Sequence, residues 1–309
     1  MGLNKTLGCL YGLAIGDALG FPVEFMDISE IKIKHGRKGI NDFHPLRTHP
    51  AGSYSDDTQM SLAITKALIK TKNPNSLDEV MENISDEFVE WANSSENNRA
   101  PGTTCMRGCR NLEQGMHWKK SGDIDSKGCG AAMRSAPIGL LYNDIEKVVE
   151  VAHAASACTH AHPTGIASGI ATACLAYFAM HDYKPEEMID KVCELTDYAD
   201  TLGEFRKKML QVKEVLDLEP EKAMPKLGKG WIGEEAVAIA MYAFLKSPND
   251  YKKTVLTAAN ITGDSDSTAC IAGAISGAYN GIENVPKDWV EKVENSEVIR
   301  ELAEKLYEK

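Results

Sequence analysis

The sequence predicts an all-α protein. Apolar residues recur at i, i+3, i+4 and i+7 in segment after segment, almost no stretch alternates with period two between hairpin turns, and helix-start residues stand at the expected places. Eleven helices are predicted in order: 5–18, 58–70, 77–93, 145–157, 165–180, 185–199, 204–216, 234–245, 251–260, 268–279 and 296–307.

The first carries the apolar run 7–15 and breaks at Gly16-Asp17 with no cleavage site beyond, which argues against an export signal. The second and third are amphipathic, with Leu77, Val80, Met81 and Ile84 on one face of the third. Asp144 is an N-cap ahead of the fourth. The fifth lies within a long stretch without formal charge, 164–180, which Thr164, Ser168 and Thr172 dilute below a convincing membrane span; a buried core helix is expected. Pro185 occupies a first-turn position of the sixth. The rest are assigned on periodicity, and Gly12-Leu-Ala-Ile-Gly16 and Gly273-Ala-Ile-Ser-Gly277 are read as close helix packing through glycine. Residues 28–55, broken by Gly36, Gly39, Pro45, Pro50 and Gly52, read as a long loop with a short strand pair at 31–33. This loop carries Lys32, Lys34, His35, Arg37 and Lys38, either a solvated basic run or a cover for an anionic ligand.

The chain has 309 residues, enough for a sizeable core, and 34 Lys and Arg against 45 Asp and Glu give a net charge of −11. A surface of that sign repels phosphate backbones and anionic headgroups, so neither general nucleic-acid binding nor membrane association is expected. Eight cysteines without a Cys-x-x-Cys pair, in a chain too large to need stapling, read as reduced thiols and a cytoplasmic setting.

Two carboxylate clusters carry the chemistry. Ser55-Asp56-Asp57-Thr58 opens one apolar helix and Gly263-Asp264-Ser265-Asp266-Ser267-Thr268 opens another. Either alone is explained by capping and the helix dipole. Together they form a hard oxygen donor set of four carboxylates and flanking hydroxyls that suits Mg²⁺, Mn²⁺ or Ca²⁺, although the EF-hand loop is missing. Three segments rich in glycine, threonine or histidine accompany them, 101–104, 128–134 and 159–165, and their amides can approach a phosphate. Walker A and Rossmann fingerprints are absent.

With these residues assembled, the chain resembles the ADP-ribosylglycohydrolases nearly end to end, through Gly12 to Gly20 with Glu24, Ser55 to Thr58, Gly102 to Thr104, Gly128 to Arg134, Thr159-His160 and Gly263 to Ser267. The resemblance implies a single-domain orthogonal helical bundle over 1–309 with two Mg²⁺ or Mn²⁺ ions in a cleft that takes ADP-ribose. The metal ligands it implies are Ser55, Asp56, Asp57, Asp264, Asp266 and Ser267, with serine at two places where many members have threonine. Glu24 or Asp57 would manage the proton, and Asp17 would be structural. Gly102, Thr103, Thr104, Gly128, Cys129, Gly130, Ala131, Met133, Arg134 and His160 would line the ADP-ribose site. The implied substrate is an ADP-ribosylated protein or small-molecule conjugate, most simply ADP-ribosyl-arginine. Two alternatives are an isoprenoid-synthase-like enzyme, opposed by the missing i, i+4 carboxylate repeat after Asp57, and a non-catalytic ADP-ribose-binding or crystallin-like module, opposed by the complete set of acidic residues.

Overall fold

The structure is a computed structural model that describes residues 2–309. Among these residues 67% are helical and there is no sheet. The helices are α1 (Leu3–Gly20), α2 (Ile28–His35), α3 (Asp56–Lys70), α4 (Leu77–Asn93), α5 (Thr103–Glu113), α6 (Trp118–Ser121), α7 (Ile138–Leu141), α8 (Ile145–Ala157), α9 (Pro163–Met180), α10 (Pro185–Thr196), α11 (Glu204–Val215), α12 (Pro220–Leu227), α13 (Gly233–Lys246), α14 (Tyr251–Ala259), α15 (Ser265–Asn280), α16 (Lys287–Lys292) and α17 (Ser296–Tyr307).

Helices α1, α9, α13 and α15 are buried on nearly every face and form the centre, which explains their nearly continuous apolar sequence. Around them lie amphipathic helices such as α4, which turns Val80, Ile84 and Phe88 inward, and α17, which buries Ile299, Leu302, Ala303 and Leu306.

The tightest packing joins α1 to α15. Glycines at 8, 12, 16 and 20 form one ridge of α1 and meet, in antiparallel order, Gly277, Gly273, Ala269 and Ser265. A Cβ built on Gly12 would stand 2.2 Å from the Gly273 carbonyl oxygen, and one on Gly16 only 2.0 Å from that of Ala269. Only glycine allows this approach, and it brings the first turn of α15 against the last turn of α1.

The segment 28–55 corrects the sequence reading. Residues 28–35 are helix, not loop and strand pair, because Asp27 and Glu30 form a capping box in which the Asp27 amide donates to Glu30 Oε2 at 2.8 Å. Ile31 is fully buried and Ile33 is 85% exposed, the opposite orientations that residues two apart take on a helix and not on a strand, where they would share a face. The other helices outside the prediction are α5, α6, α7, α12 and α16. Four of them span eight residues or fewer, and α5 opens on a Gly102 N-cap without a capping side chain, so little in their sequence signals a start.

Candidate active site

Three helix N-termini, those of α3, α5 and α15, open on one cavity of about 370 Å³. Its wall includes Glu24, Phe25, Asp56, Asp57, Gly102, Thr103, Thr104, Gly128, Cys129, Gly130, Met133, His160, Trp231, Asp264, Asp266 and Ser267. The two carboxylate clusters, some two hundred residues apart in sequence, are therefore neighbours.

The start of α3 is held from outside. Asp17, fully buried on α1, accepts hydrogen bonds from the Ser55 amide (2.8 Å), the Thr58 amide (2.9 Å) and the Thr58 hydroxyl (2.6 Å). Ser55 is the N-cap and accepts from the Asp57 amide at 3.3 Å. With their orphan amides thus served, the Asp56 and Asp57 side chains are left for the cavity. Asp56 Oδ2 accepts from the Gly102 amide at 3.1 Å, which ties the start of α5 to that of α3.

The start of α15 is held partly by its own residues. Asp264 is the N-cap: Oδ1 accepts from the Ser267 amide at 3.3 Å, Oδ2 from the Cys129 thiol at 2.9 Å, and its own amide donates to the Lys229 carbonyl at 2.8 Å. Asp266 follows in the first turn.

Burial and mutual repulsion raise the whole cluster out of the ordinary carboxylate range. Burial, then the Asp266 charge, pushes Asp17 up to about 7. Burial, with the Asp266 and Asp17 charges working against the Gly102 hydrogen bond, brings Asp56 to about 8. Glu24 reaches about 11 through burial and the charges of Asp266, Asp264, Asp56 and Asp17. Asp57, Asp264 and Asp266 are raised by burial first. Asp57 Oδ2 and Asp266 Oδ1 are buried without any hydrogen-bond partner. A fold does not normally bury carboxylate oxygens unpaired. Hard oxygen donors, two of them orphaned, in a concave site that lacks a nearby cation fit divalent metal ions.

On the opposite wall Arg134 Nη2 donates to Thr159 Oγ1 at 2.6 Å, leaving the Thr159 hydroxyl proton for His160 Nδ1 at 2.8 Å. The His160 proton therefore sits on Nε2, which faces Gly128 and Gly130. Burial and the Arg134 charge lower His160 to about 3, so the ring is a neutral hydrogen-bond donor across the working pH range. A Cβ on Gly130 would stand 2.7 Å from His160 Cε1, which accounts for glycine there.

Some residues implied to line the site stand behind it instead. Arg134 is fully buried, its guanidinium over the Phe88 ring and bonded to the Ala155 carbonyl as well as Thr159, and it acts on the cavity only through Thr159 and His160. Ala131 is buried outside the lining. Ser55 is also outside it, although its hydroxyl stabilises the Asp266 carboxylate. The Cys129 amide already donates to the Trp231 carbonyl at 3.2 Å and is not available to a phosphate. His162 is the N-cap of α9 and accepts from the Thr164 amide.

Phe25 and Trp231 were not singled out from the sequence. They stack at the mouth with ring centroids 5.1 Å apart, 69% and 38% exposed, and Phe25 has a left-handed φ of 67°. An exposed aromatic ring on strained backbone beside a carboxylate cluster is the signature, and only the folded chain displays it.

The class of protein this fold and site define is settled by comparison. The sequence model of the ADP-ribosylglycohydrolase family matches residues 2–309, and the chain belongs to that family. It is similar to the ADP-ribosyl-[dinitrogen reductase] glycohydrolase of Rhodospirillum rubrum (29% identity, covering 94% of this chain and 90% of that one). It is also similar to ADP-ribosylhydrolase ARH3 of Bos taurus (26%, 99% and 93%) and ADP-ribosylarginine hydrolase Tri1 of Serratia proteamaculans (26%, 99% and 79%). Among solved structures, an ADP-ribosylglycohydrolase-related protein complex shares the fold with a TM-score of 0.79 at 24% identity, covering 99% of this chain and 98% of that one. The chain is thus an enzyme that hydrolyses ADP-ribosyl glycosidic bonds.

Proposed function

We propose that the enzyme removes ADP-ribose from ADP-ribosylated arginine in a protein and that it requires two divalent cations, Mg²⁺ or Mn²⁺. The observation that carries this reading is the convergence of Asp56, Asp57, Asp264 and Asp266 with two buried, unpaired carboxylate oxygens. These residues would hold the metal, with the Ser55 and Ser267 hydroxyls beside them. Bound there, divalent cations would neutralise the cluster and supply Lewis-acid chemistry that orients hydroxyls and acidifies a water.

The chain's own groups supply the rest. The α5 N-terminus, which has no capping side chain, presents amides and the positive end of its dipole to the cavity and suits the diphosphate. His160 Nε2–H donates to the ligand from the opposite wall. Glu24, half-buried between the carboxylates and the rim residue Phe25, is placed to hold the proton exchanged between water and the leaving nitrogen. Cleavage at C1 of the distal ribose develops positive charge, which the surrounding carboxylates stabilise. Arginine is favoured as acceptor because a guanidinium is cationic and planar, matching an acidic site edged by two stacked aromatic rings. The relative named for ADP-ribosylarginine agrees with this choice.

The test is release of ADP-ribose from arginine-, serine- and glutamate-linked substrates with Mg²⁺, with Mn²⁺ and with a chelator. Metal-dependent release from the arginine conjugate is expected. Preference for the serine or glutamate linkage would overturn the acceptor, and undiminished release in chelator would overturn the metal requirement.

A further inference from the structure

A larger cavity of about 800 Å³ lies between α2, the α12–α13 connection and α14, separate from the carboxylate site. Its rim carries Lys32, Arg37, Lys38, Lys229, Lys252 and Lys253, opposed by Glu221 and Asp250 alone among the residues that line it. Its floor includes Ile28, Met224, Leu256 and Ile261. In a chain of net charge −11, six cations on one concave surface run against the average.

Internal pairing does not account for them. Lys32 meets Glu221 at 3.7 Å, and Lys252 lies over the Trp289 ring at 4.8 Å. Asp250 is spent as the N-cap of α14, where it accepts from the Lys253 amide at 3.0 Å. Among the described residues, Arg37, Lys38, Lys229 and Lys253 have no ion pair. The polar side chains of the floor are also committed: Asn260 bonds both the amide (2.8 Å) and the carbonyl (2.9 Å) of Ile40, and Thr262 Oγ1 accepts from the Ile28 amide at 3.0 Å.

The rim is a built turn. Gly36 and Gly39, with φ of 88° and 72°, reverse the chain so that Arg37 and Lys38 come to the cavity, and Asn260 pins the exit of the turn. A Cβ on Gly39 would stand 1.8 Å from Asn260 Oδ1.

We propose that this cavity binds a nucleoside polyphosphate, its base on the apolar floor and its phosphates against Arg37, Lys38, Lys229 and Lys253. Volume, apolar floor and an excess of six cations over two carboxylates around it are what such an amphiphilic anion needs. The site shares a wall with the active site, since the Lys229 carbonyl takes the Asp264 amide and Trp231 is two residues on. It is nevertheless a second site, and it does not depend on the acceptor or metal proposed above.

The test is titration of the full-length protein with a fluorescent N-methylanthraniloyl derivative of ATP, with saturating ADP-ribose present throughout. One saturable equivalent is expected, weakening as salt rises. Arg37→Glu combined with Lys253→Glu should reduce affinity at least thirtyfold while the melting temperature and the release of ADP-ribose stay at wild-type values. Three results would overturn the proposal: loss of the signal with ADP-ribose, which would put the probe in the catalytic cleft; equal affinity for inorganic tripolyphosphate, which would leave the apolar floor without a role; and unchanged binding by the double variant.

Discussion

Helices α3 and α15 begin with the same kinds of residue, two aspartates and a serine at the cap and first turn, yet they are anchored differently. At α3 the anchoring is external: Asp17 of α1 accepts three hydrogen bonds from Ser55 and Thr58, leaving Asp56 and Asp57 to face the cavity. At α15 the cap residue serves twice, because Asp264 both receives the Ser267 amide and lines the cavity. What positions α15 is the glycine seam with α1. One helix thus aligns both starts, by a buried acceptor on one side and by close backbone contact on the other.

The largest effect is expected from breaking the seam. Gly16→Leu places a side chain against the backbone of Ala269 and Cys270, and neither can yield as a side chain would. A loss of about 3 kcal/mol or more, or failure to fold, is expected and is read by thermal and urea unfolding. Wild-type stability would show that the helices separate freely.

Next come two aspartates that line the cavity from different helix starts. If the cluster holds metal as proposed, Asp56→Asn and Asp266→Asn each remove a ligand and should lower kcat by roughly 10³-fold or more. In chelator, Asp266→Asn should melt no lower than wild type and is expected to melt higher, because it removes a like charge from a repelling cluster. Activity within tenfold of wild type would contradict the assignment.

The anchoring aspartates should separate. Asp17→Asn leaves buried amides poorly matched and should cost about 1–3 kcal/mol with a moderate loss of kcat. Asp264→Asn retains a competent cap, so its melting temperature in chelator should change little while activity is lost. Equal stability losses in the two variants would erase the distinction between external and internal anchoring.

The pH dependence sharpens the same point. Asp17 and Asp56 are raised in the folded state to about 7 and about 8 from ordinary values near 3.8, so the fold prefers their protonated forms. Stability of the metal-free protein is therefore greatest below about pH 4 as far as these groups are concerned, and falls as pH rises towards 8. Divalent metal should flatten that fall and raise the melting point at pH 8 by roughly 5–10 °C at saturation. A metal-free melting curve that rises between pH 5 and 8 would contradict it.

The smallest effect belongs to the rim. Phe25→Ala and Trp231→Ala should raise KM for an ADP-ribosyl-arginine substrate about three- to tenfold with a lesser change in kcat. Unchanged KM would make the stacked pair a structural ornament of the loop.

The long periodic helices were legible in sequence, and so were the two carboxylate clusters, because each stands at a recognisable helix start. Their convergence was not, since it depends on a contact between residues 16 and 269 that no local pattern encodes. Helix α2 is hard to read in sequence because Ile31 and Ile33, which fall on opposite sides of the helix, match the one-sided spacing of a strand, and glycine and proline crowd the segment that follows. Arg134 sits within a glycine-rich motif and so looked like a ligand contact, yet its guanidinium is turned into the core towards Thr159 and Phe88. The basic residues at 32–38 read as an isolated run; Lys229, Lys252 and Lys253, which complete their cavity, lie roughly two hundred residues further on.

The central claim is that the two helix starts together make one divalent-metal site. Its most direct test is the stoichiometry of Mn²⁺ bound to the chelator-stripped enzyme, read by calorimetry in wild type and in Asp56→Asn and Asp266→Asn. Two ions per chain in wild type, with loss of binding whichever helix carries the substitution, is the predicted result. No saturable Mn²⁺ binding, or binding indifferent to one of the two substitutions, would contradict it.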